Sequence, residues 1–336
     1  MHESQWFPDE CRCVERPFKK LDLQILEWDD EDEDASIPSD SQEEFEDESD
    51  VVIKKTFEVL EMKDFPPMQH PDTEKRVLLV RPCYLKLFDL VMAESQKSIN
   101  PNITVTGNPG IGKSIFYLYF IWRIIKEGLP SKFSHLVINC GDVYHFYENK
   151  EFIDLVSEQE RNRFKTSAGV LRLVDGDSDA LEGWKGTTVL FASPGTKQFR
   201  DFAKARFHST FVMPIWIREE LLICNEVCGI GFSAEQIRDR DIFYGGIPRI
   251  IFAQGDEWRS KVEAAIASSD CQDIFNYVKV STEVHQDDYT HLVLKMVPLD
   301  QDFKKATLDF LSEQIGDKVV DKLGPKCLDY LKTFFS

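Results

Sequence analysis

Apolar positions along the chain fall into two regimes. Between residues 103 and 213, compact β-rich runs at 103–105, 136–139, 170–174, 188–192 and 210–213 alternate with stretches that read as helices at 113–126, 152–164 and 197–206. Five strands joined by helical crossovers predict a parallel sheet covered on both faces, and the handedness of such crossovers restricts it to doubly wound topologies. Beyond Pro214 the strands stop. Residues 217–228, 233–243, 248–252 and 257–268 all read as helices, which predicts a helical lid, and the tail 283–336 returns to one strand (HLVLKMV) and two helices. Upstream, Leu85, Leu87, Phe88, Leu90 and Val91 are spaced as on an amphipathic helix over 82–98, whereas VVIKKTFEVLEM at 51–62 is compatible with strand or helix. Pro66, Pro67 and Pro71 interrupt any regular element between them.

The pattern divides the chain into a head and acidic linker (1–50), a lead-in (51–100), an α/β core (101–214), a helical subdomain (215–282) and a closing segment (283–336). Charge sharpens the first boundary. Residues 29–50 hold thirteen Asp or Glu and no Lys or Arg, and taking these from the net charge of −19 leaves −6 for the rest. A block of like charge cannot bury itself, so a disordered, solubilising tether is expected. With no basic stripe elsewhere, direct nucleic-acid binding is not expected. The eight cysteines are too scattered for a disulfide framework, and neither Cys11 with Cys13 nor Cys224 with Cys228 has the second half of a zinc site. His285, Asp287, Asp288 and His291 are spaced like a solvated turn. No apolar run spans a bilayer and the N-terminus lacks a secretory core, so cytosol or nucleus is the expected compartment.

The chemistry concentrates in one octet: Gly107, Asn108, Pro109, Gly110, Ile111, Gly112, Lys113 and Ser114 fit G-x-x-x-x-G-K-[ST]. It follows a β-run and opens the apolar helix IFYLYFIWRII, the strand-loop-helix setting that phosphate binding needs. Glycines let backbone N–H groups turn inward, and the helix offers its positive end. Lys113 is the expected partner of the β- and γ-phosphates, and Ser114 of Mg2+. A second metal-holding carboxylate is expected at a strand end, and Val170 to Val174 followed by Asp175 supplies it. The next residue is Gly176, where many such ATPases carry a water-orienting glutamate; Asp177 and Asp142 are the substitutes on offer. Ser193, after the run 188–192, is a candidate γ-phosphate sensor. Arg249, in the turn-helix GGIPR, is a candidate cation reaching the phosphates, the alternative being a plain helix start. Arg200 and Arg206 read as surface charge, or as arginines reaching a neighbouring subunit.

Several motifs occur in order: TGNPGIGKSIFYLYFIWRI, VDG at 174–176, FASPG at 191–195, VMPIWIREEL at 212–221 and FYGGIPRIIF at 243–252. Together they resemble the P-loop ATPase module of Crinkler effectors and retrotransposon hot spot proteins over roughly residues 75–325. The resemblance implies an AAA-like P-loop NTPase of the additional-strand type, in proteins secreted by oomycetes and fungi that act in host nuclei. THLVLKMV to DKL is similar to the end of that module, so no C-terminal effector domain is expected here, nor a recognisable header or signal peptide.

Two readings follow. One is an Mg2+-dependent ATPase or nucleotide-controlled switch, with ATP or GTP at the octet, Asp175 on the metal, and Ser193 and Arg249 as sensors. The other is a nucleotide-binding interaction module without hydrolysis, working through a protein partner, a host protein or a second copy of itself. A small-molecule kinase fits poorly, because GDVYHFYENKEF lacks the basic character of an acceptor lid.

Overall fold

The computed structural model describes residues 14–15, 57–62, 70, 72, 77–97, 100–148, 151–155, 157–176, 181–194, 202, 207–269 and 290–335. The acidic segment 29–50, Asp177, Arg200, Arg206, His285, Asp287 and Asp288 lie outside them.

A small antiparallel sheet comes first, with β1 (Val14–Glu15), β2 (Glu58–Glu61) and β3 (Val77–Val80) in that order. Helix α1 (Pro82–Ser95) opens on a proline at its first position, where the missing N–H costs nothing. The central sheet then collects β4 (Asn102–Thr106), β5 (His135–Cys140), β6 (Val143–Glu148), β7 (Glu151–Asp154), β8 (Val170–Asp175), β9 (Thr187–Phe191) and β10 (His208–Val212). Its order is β10-β4-β9-β8-β5-β6-β7. The first five strands pair in parallel, and β6 and β7 continue the edge antiparallel. β8 and β9 are buried along their whole length, which is why they read as continuous apolar runs.

Helix α2 (Lys113–Glu127) lies on this sheet and is buried almost all round, as its unbroken apolar run requires. Phe116, Tyr117 and Phe120 each pack edge-on to Phe191 of β9, with centroids 5.5 to 5.7 Å apart, while Phe120 meets Phe88 of α1 at 4.6 Å on the other side. Strand β9 lies between β4, which leads into the octet, and β8, which ends on Asp175. One extra strand between these two is the additional-strand P-loop NTPase topology, so the fold expected from the sequence is the fold observed.

Two local expectations are corrected. The region read as a polar helix over 152–164 begins as strand β7, and helix α3 (Glu158–Lys165) starts only at a Ser157 capping box. Among its described residues the tail holds two strands and one α-helix: β11 (Leu294–Pro298) and β12 (Ala306–Phe310) form a hairpin, and α8 (Glu313–Phe335) runs on through Gly324 and Pro325. Between core and tail lie α4 (Arg218–Val227), α5 (Ala234–Tyr244), α6 (Pro248–Ile251) and α7 (Glu257–Ser268), the predicted lid helices. Lid and tail interlock tightly. Gly245 has φ +60°, and a Cβ there would lie 1.7 Å from the Leu311 carbonyl oxygen, so only glycine fits this crossing. Lys322 of α8 caps the end of α7 by donating to the carbonyls of Ile266, Ala267 and Ser269.

Buried polar links tie the lid to the core. Arg81, 1% exposed, donates through Nε and Nη2 to the Glu220 carboxylate at 3.1 and 2.8 Å, and to the carbonyls of Pro214 and Ile215. Its guanidinium also lies 4.7 Å from the Trp216 ring centroid. Near the opposite end of α1, buried Glu94 accepts from Lys97, Ser209 and Lys304, joining α1, β10 and the tail hairpin. Burial opposes its charge, but those donors outweigh it and hold the carboxyl at about 2.

Candidate nucleotide-binding site

The carboxyl ends of β4, β5, β8 and β9 share one rim of the sheet, the edge at which open α/β sheets present their sites. The octet leaves β4 there. Gly107, Gly110 and Gly112 have φ of +145°, +88° and +97°. At Gly110 a side chain is excluded twice, by its φ and by Arg249, whose Cβ would lie 2.6 Å from an added Cβ.

What fixes the loop is where its carbonyls go. Lys113 Nζ donates to the carbonyls of Gly107 and Asn108 at 2.8 and 2.9 Å. The Gly110 carbonyl accepts the Arg249 N–H at 3.4 Å, the Ile111 carbonyl accepts Trp216 Nε1–H at 2.7 Å, and the Gly112 carbonyl accepts the Tyr84 hydroxyl at 3.1 Å. Five carbonyls are thus engaged by the protein itself. Among the described residues, no backbone hydrogen bond is donated by Gly110, Ile111 or Gly112, so their N–H groups remain for a ligand. Asn108 supplies a further fastener: its Nδ2 donates to the Leu294 carbonyl and its Oδ1 accepts the Met296 N–H, both at 2.8 Å. A side-chain amide here takes the place of a backbone unit against β11.

Lys113 is buried, and burial pulls its ammonium down to about 7; nearby Asp175 counters this, and Arg249 adds to it. A buried cation in such surroundings is an anion acceptor in waiting. Arg249 is exposed and its side chain runs along Gly110, which places it beside the loop.

Asp175 ends β8 and is buried. Its Oδ1 accepts from Ser114 Oγ at 3.2 Å, so hydroxyl and carboxylate stand together as two hard oxygen donors suited to Mg2+. Ser193, half-buried, lies two residues beyond Phe191, which pairs with Asp175 in register. Gly176 is exposed, with φ +71° and nothing within 4 Å of where its Cβ would be. Asp142 is exposed on the turn after β5.

No sequence pattern pointed to His70. Its Nε2 lies 3.0 Å from Asp175 Oδ2, while its Nδ1 accepts the Asp72 N–H at 3.1 Å. The ring is buried and stacks on Tyr117 at 5.7 Å. Cys140, at the end of β5, is paired with Asp175 in register, and donor atoms of His70, Cys140 and Asp175 lie within 4.8 Å of one another. That trio has the composition of a soft-metal site. The Asp72 contact, however, puts the neutral ring's lone pair on Nδ1 and its proton on Nε2, facing the carboxylate. Burial, with Asp175 and Asp72 nearby, pushes the Cys140 thiol up to about 11. The observed arrangement is therefore a hydrogen-bonded one around Asp175.

Among the described residues no helix is long and apolar enough to cross a membrane. No protein-family model matches the chain. Among solved structures, similarity is found to a Thermotoga maritima RuvB Holliday junction branch migration motor (12% identity, 66% of this chain and 76% of that one, TM-score 0.30). It is also found to Hsp104 with ATPγS and casein (14%, 55% and 39%, 0.34). A third is Drosophila ORC bound to DNA (15%, 87% and 83%, 0.32). These scores are too low to carry an argument, and the fold stands on this chain's own strand order. Among curated proteins, the chain is 25% identical to Crinkler effector protein 15 of Phytophthora infestans over 239 residues, 69% of this chain and 37% of the relative. It is 27% identical to Crinkler effector protein 16 of the same organism over 204 residues, 59% and 31%. The chain, whose P-loop fold is evident from its topology, is thus similar to Crinkler effectors, with the matches spanning about a third of their length.

Proposed function

We propose that the chain binds a nucleoside triphosphate with Mg2+ at residues 107–114 and works as an ATPase or nucleotide-controlled switch of the Crinkler effector type. The observation that supports this most directly is the engagement of five loop carbonyls beside a buried Lys113, which leaves N–H groups and one cation for phosphate oxygens. On this reading Lys113 exchanges the Gly107 and Asn108 carbonyls for the β- and γ-phosphates. Ser114 and Asp175 hold the metal, which neutralises phosphate charge when bound. Arg249 adds a second cation above Gly110, and Ser193 meets the terminal phosphate from the end of β9. ATP is favoured over GTP only by the family resemblance.

A second reading draws on Gly176. No carboxylate stands immediately after Asp175, so nothing in that position orients an attacking water, and a nucleotide-binding partner module without turnover is the alternative. One experiment separates them: ATP and GTP binding and phosphate release for wild type, Lys113→Ala and Asp175→Asn, beside size-exclusion chromatography with and without nucleotide. Binding lost in Lys113→Ala with release lost in Asp175→Asn supports the ATPase. Tight binding without release supports the partner module. Wild type that binds neither nucleotide sinks both.

A further inference from the structure

Asp175 offers its two carboxylate oxygens to two different neighbourhoods. Oδ1 faces Ser114 and the end of the phosphate loop. Oδ2 faces His70, which reaches the sheet from the lead-in ahead of β3 and lies 105 residues away in sequence.

His70 is itself held on two sides. The Asp72 N–H fixes its tautomer, so that Nε2 is a donor, and the face of Tyr117 fixes the plane of the ring. Tyr117 is anchored in turn, its hydroxyl donating to the Asn139 carbonyl at 3.3 Å. A carboxylate at a strand end has a free rotation about its last bond; a donor on one oxygen stops that rotation and aims the other. Ligating carboxylates depend on such outer hydrogen bonds for both orientation and basicity.

We infer that His70 is a positioning residue for the nucleotide's metal: by donating from Nε2 to Asp175 Oδ2, it holds Oδ1 toward Ser114 in the orientation that Mg2+ requires. This rests on the nucleotide reading above and adds a component to the same site. It also gives the lead-in segment a second contact with the site, beside the Tyr84 hydroxyl on the Gly112 carbonyl.

The test is a fluorescent ATP-analogue binding titration on the full chain, run in EDTA and across a Mg2+ series, for wild type, His70→Phe and His70→Gln. Phenylalanine keeps a ring against Tyr117 and removes the donor, whereas glutamine removes the ring and restores an N–H. The Mg2+ concentration giving half of the metal-dependent gain in affinity is expected to rise about 10- to 100-fold in His70→Phe. It should return close to wild type in His70→Gln, with affinity in EDTA unchanged in both. Thermal unfolding without nucleotide monitors the fold of each variant. A wild-type Mg2+ dependence in His70→Phe overturns the proposal. So does a His70→Gln that tracks His70→Phe, because an N–H donor restored at that position would then not restore the metal dependence. Wild type that binds no nucleotide in either condition fails differently: it removes the nucleotide reading and this one with it.

Discussion

Asn108 offers the sharpest perturbation of the loop, because its two hydrogen bonds have opposite polarity. In Asn108→Ala both are lost, and the Leu294 carbonyl and Met296 N–H are left without their partner beneath a residue only 3% exposed. A net hydrogen bond is worth about 1 kcal/mol, and stranding a buried partner costs about 1–3 kcal/mol, so a loss of roughly 2–4 kcal/mol is expected. For a domain of this size that corresponds to a fall in Tm of about 4–8 °C. Asn108→Asp keeps the acceptor for Met296 but turns a carboxylate oxygen toward the Leu294 carbonyl, and it brings a negative charge to a loop meant for phosphate. Its unfolding penalty should be comparable, while its nucleotide affinity should fall well below that of Asn108→Ala. Differential scanning calorimetry and equilibrium nucleotide titration on both variants measure the two effects separately. Unchanged Tm in Asn108→Ala, or equal nucleotide affinity in the two, would refute the view that β11 fastens the loop through this side chain.

Three further outcomes follow from buried charge. Glu220→Gln leaves the Arg81 guanidinium without its buried counter-charge, and about 3–5 kcal/mol of stability should be lost in denaturant unfolding; a loss below about 1 kcal/mol would mean the pair is solvated. Lys113, held at about 7 by burial, must be protonated to meet phosphate, so nucleotide affinity should weaken as pH rises above 7. Calorimetry at pH 8 in buffers of different ionisation enthalpy should then register about one proton taken up per nucleotide, and zero uptake would contradict it. Stability should fall in acid in two stages. His208, which burial holds at about 4, resists a proton that the unfolded chain accepts, so stability declines as pH drops from the ordinary histidine range toward 4. Glu94, held at about 2, stabilises above the ordinary carboxylate range and loses that contribution as pH falls toward 2. His208→Gln should flatten the upper stage of a Tm-against-pH curve and Glu94→Gln the lower, and identical slopes in all three proteins would reject the assignment.

What the sequence made legible was local. The octet, the apolar helix after it and Asp175 at the end of an apolar run are contiguous patterns whose geometry follows from chain connectivity. The fasteners are not. Trp216 reaches Ile111 across 105 residues, and Asn108 reaches β11 across 186 or more, and nothing in either segment names its partner. His70 sits among prolines that mark only an interruption, so its bond to Asp175 had no periodicity to announce it. The β6 and β7 pair escaped because short aromatic-rich runs with charged ends, VYHFYE and EFID, satisfy strand and helix patterns alike. Arg172, the one charged residue within VLRLV, is fully buried, donating to Asn139 Oδ1 with its guanidinium 4.3 Å from the Trp184 ring centroid, and nothing in the strand pattern names either partner.

Besides the Arg249 N–H on Gly110, the loop that would hold phosphate is fastened through side chains from three places: Tyr84 before the sheet, Trp216 at the entrance to the lid, and β11 beyond it. A fragment trimmed to residues 101–214 would retain the whole octet and all five parallel strands while losing every one of those fasteners. Its N–H groups would be free to wander, and it would pass for a P-loop domain by sequence while failing as a phosphate receptor. A piece that keeps those three side-chain contacts must run at least from Tyr84 through Met296, and one that also keeps His70 on Asp175 must begin at or before His70.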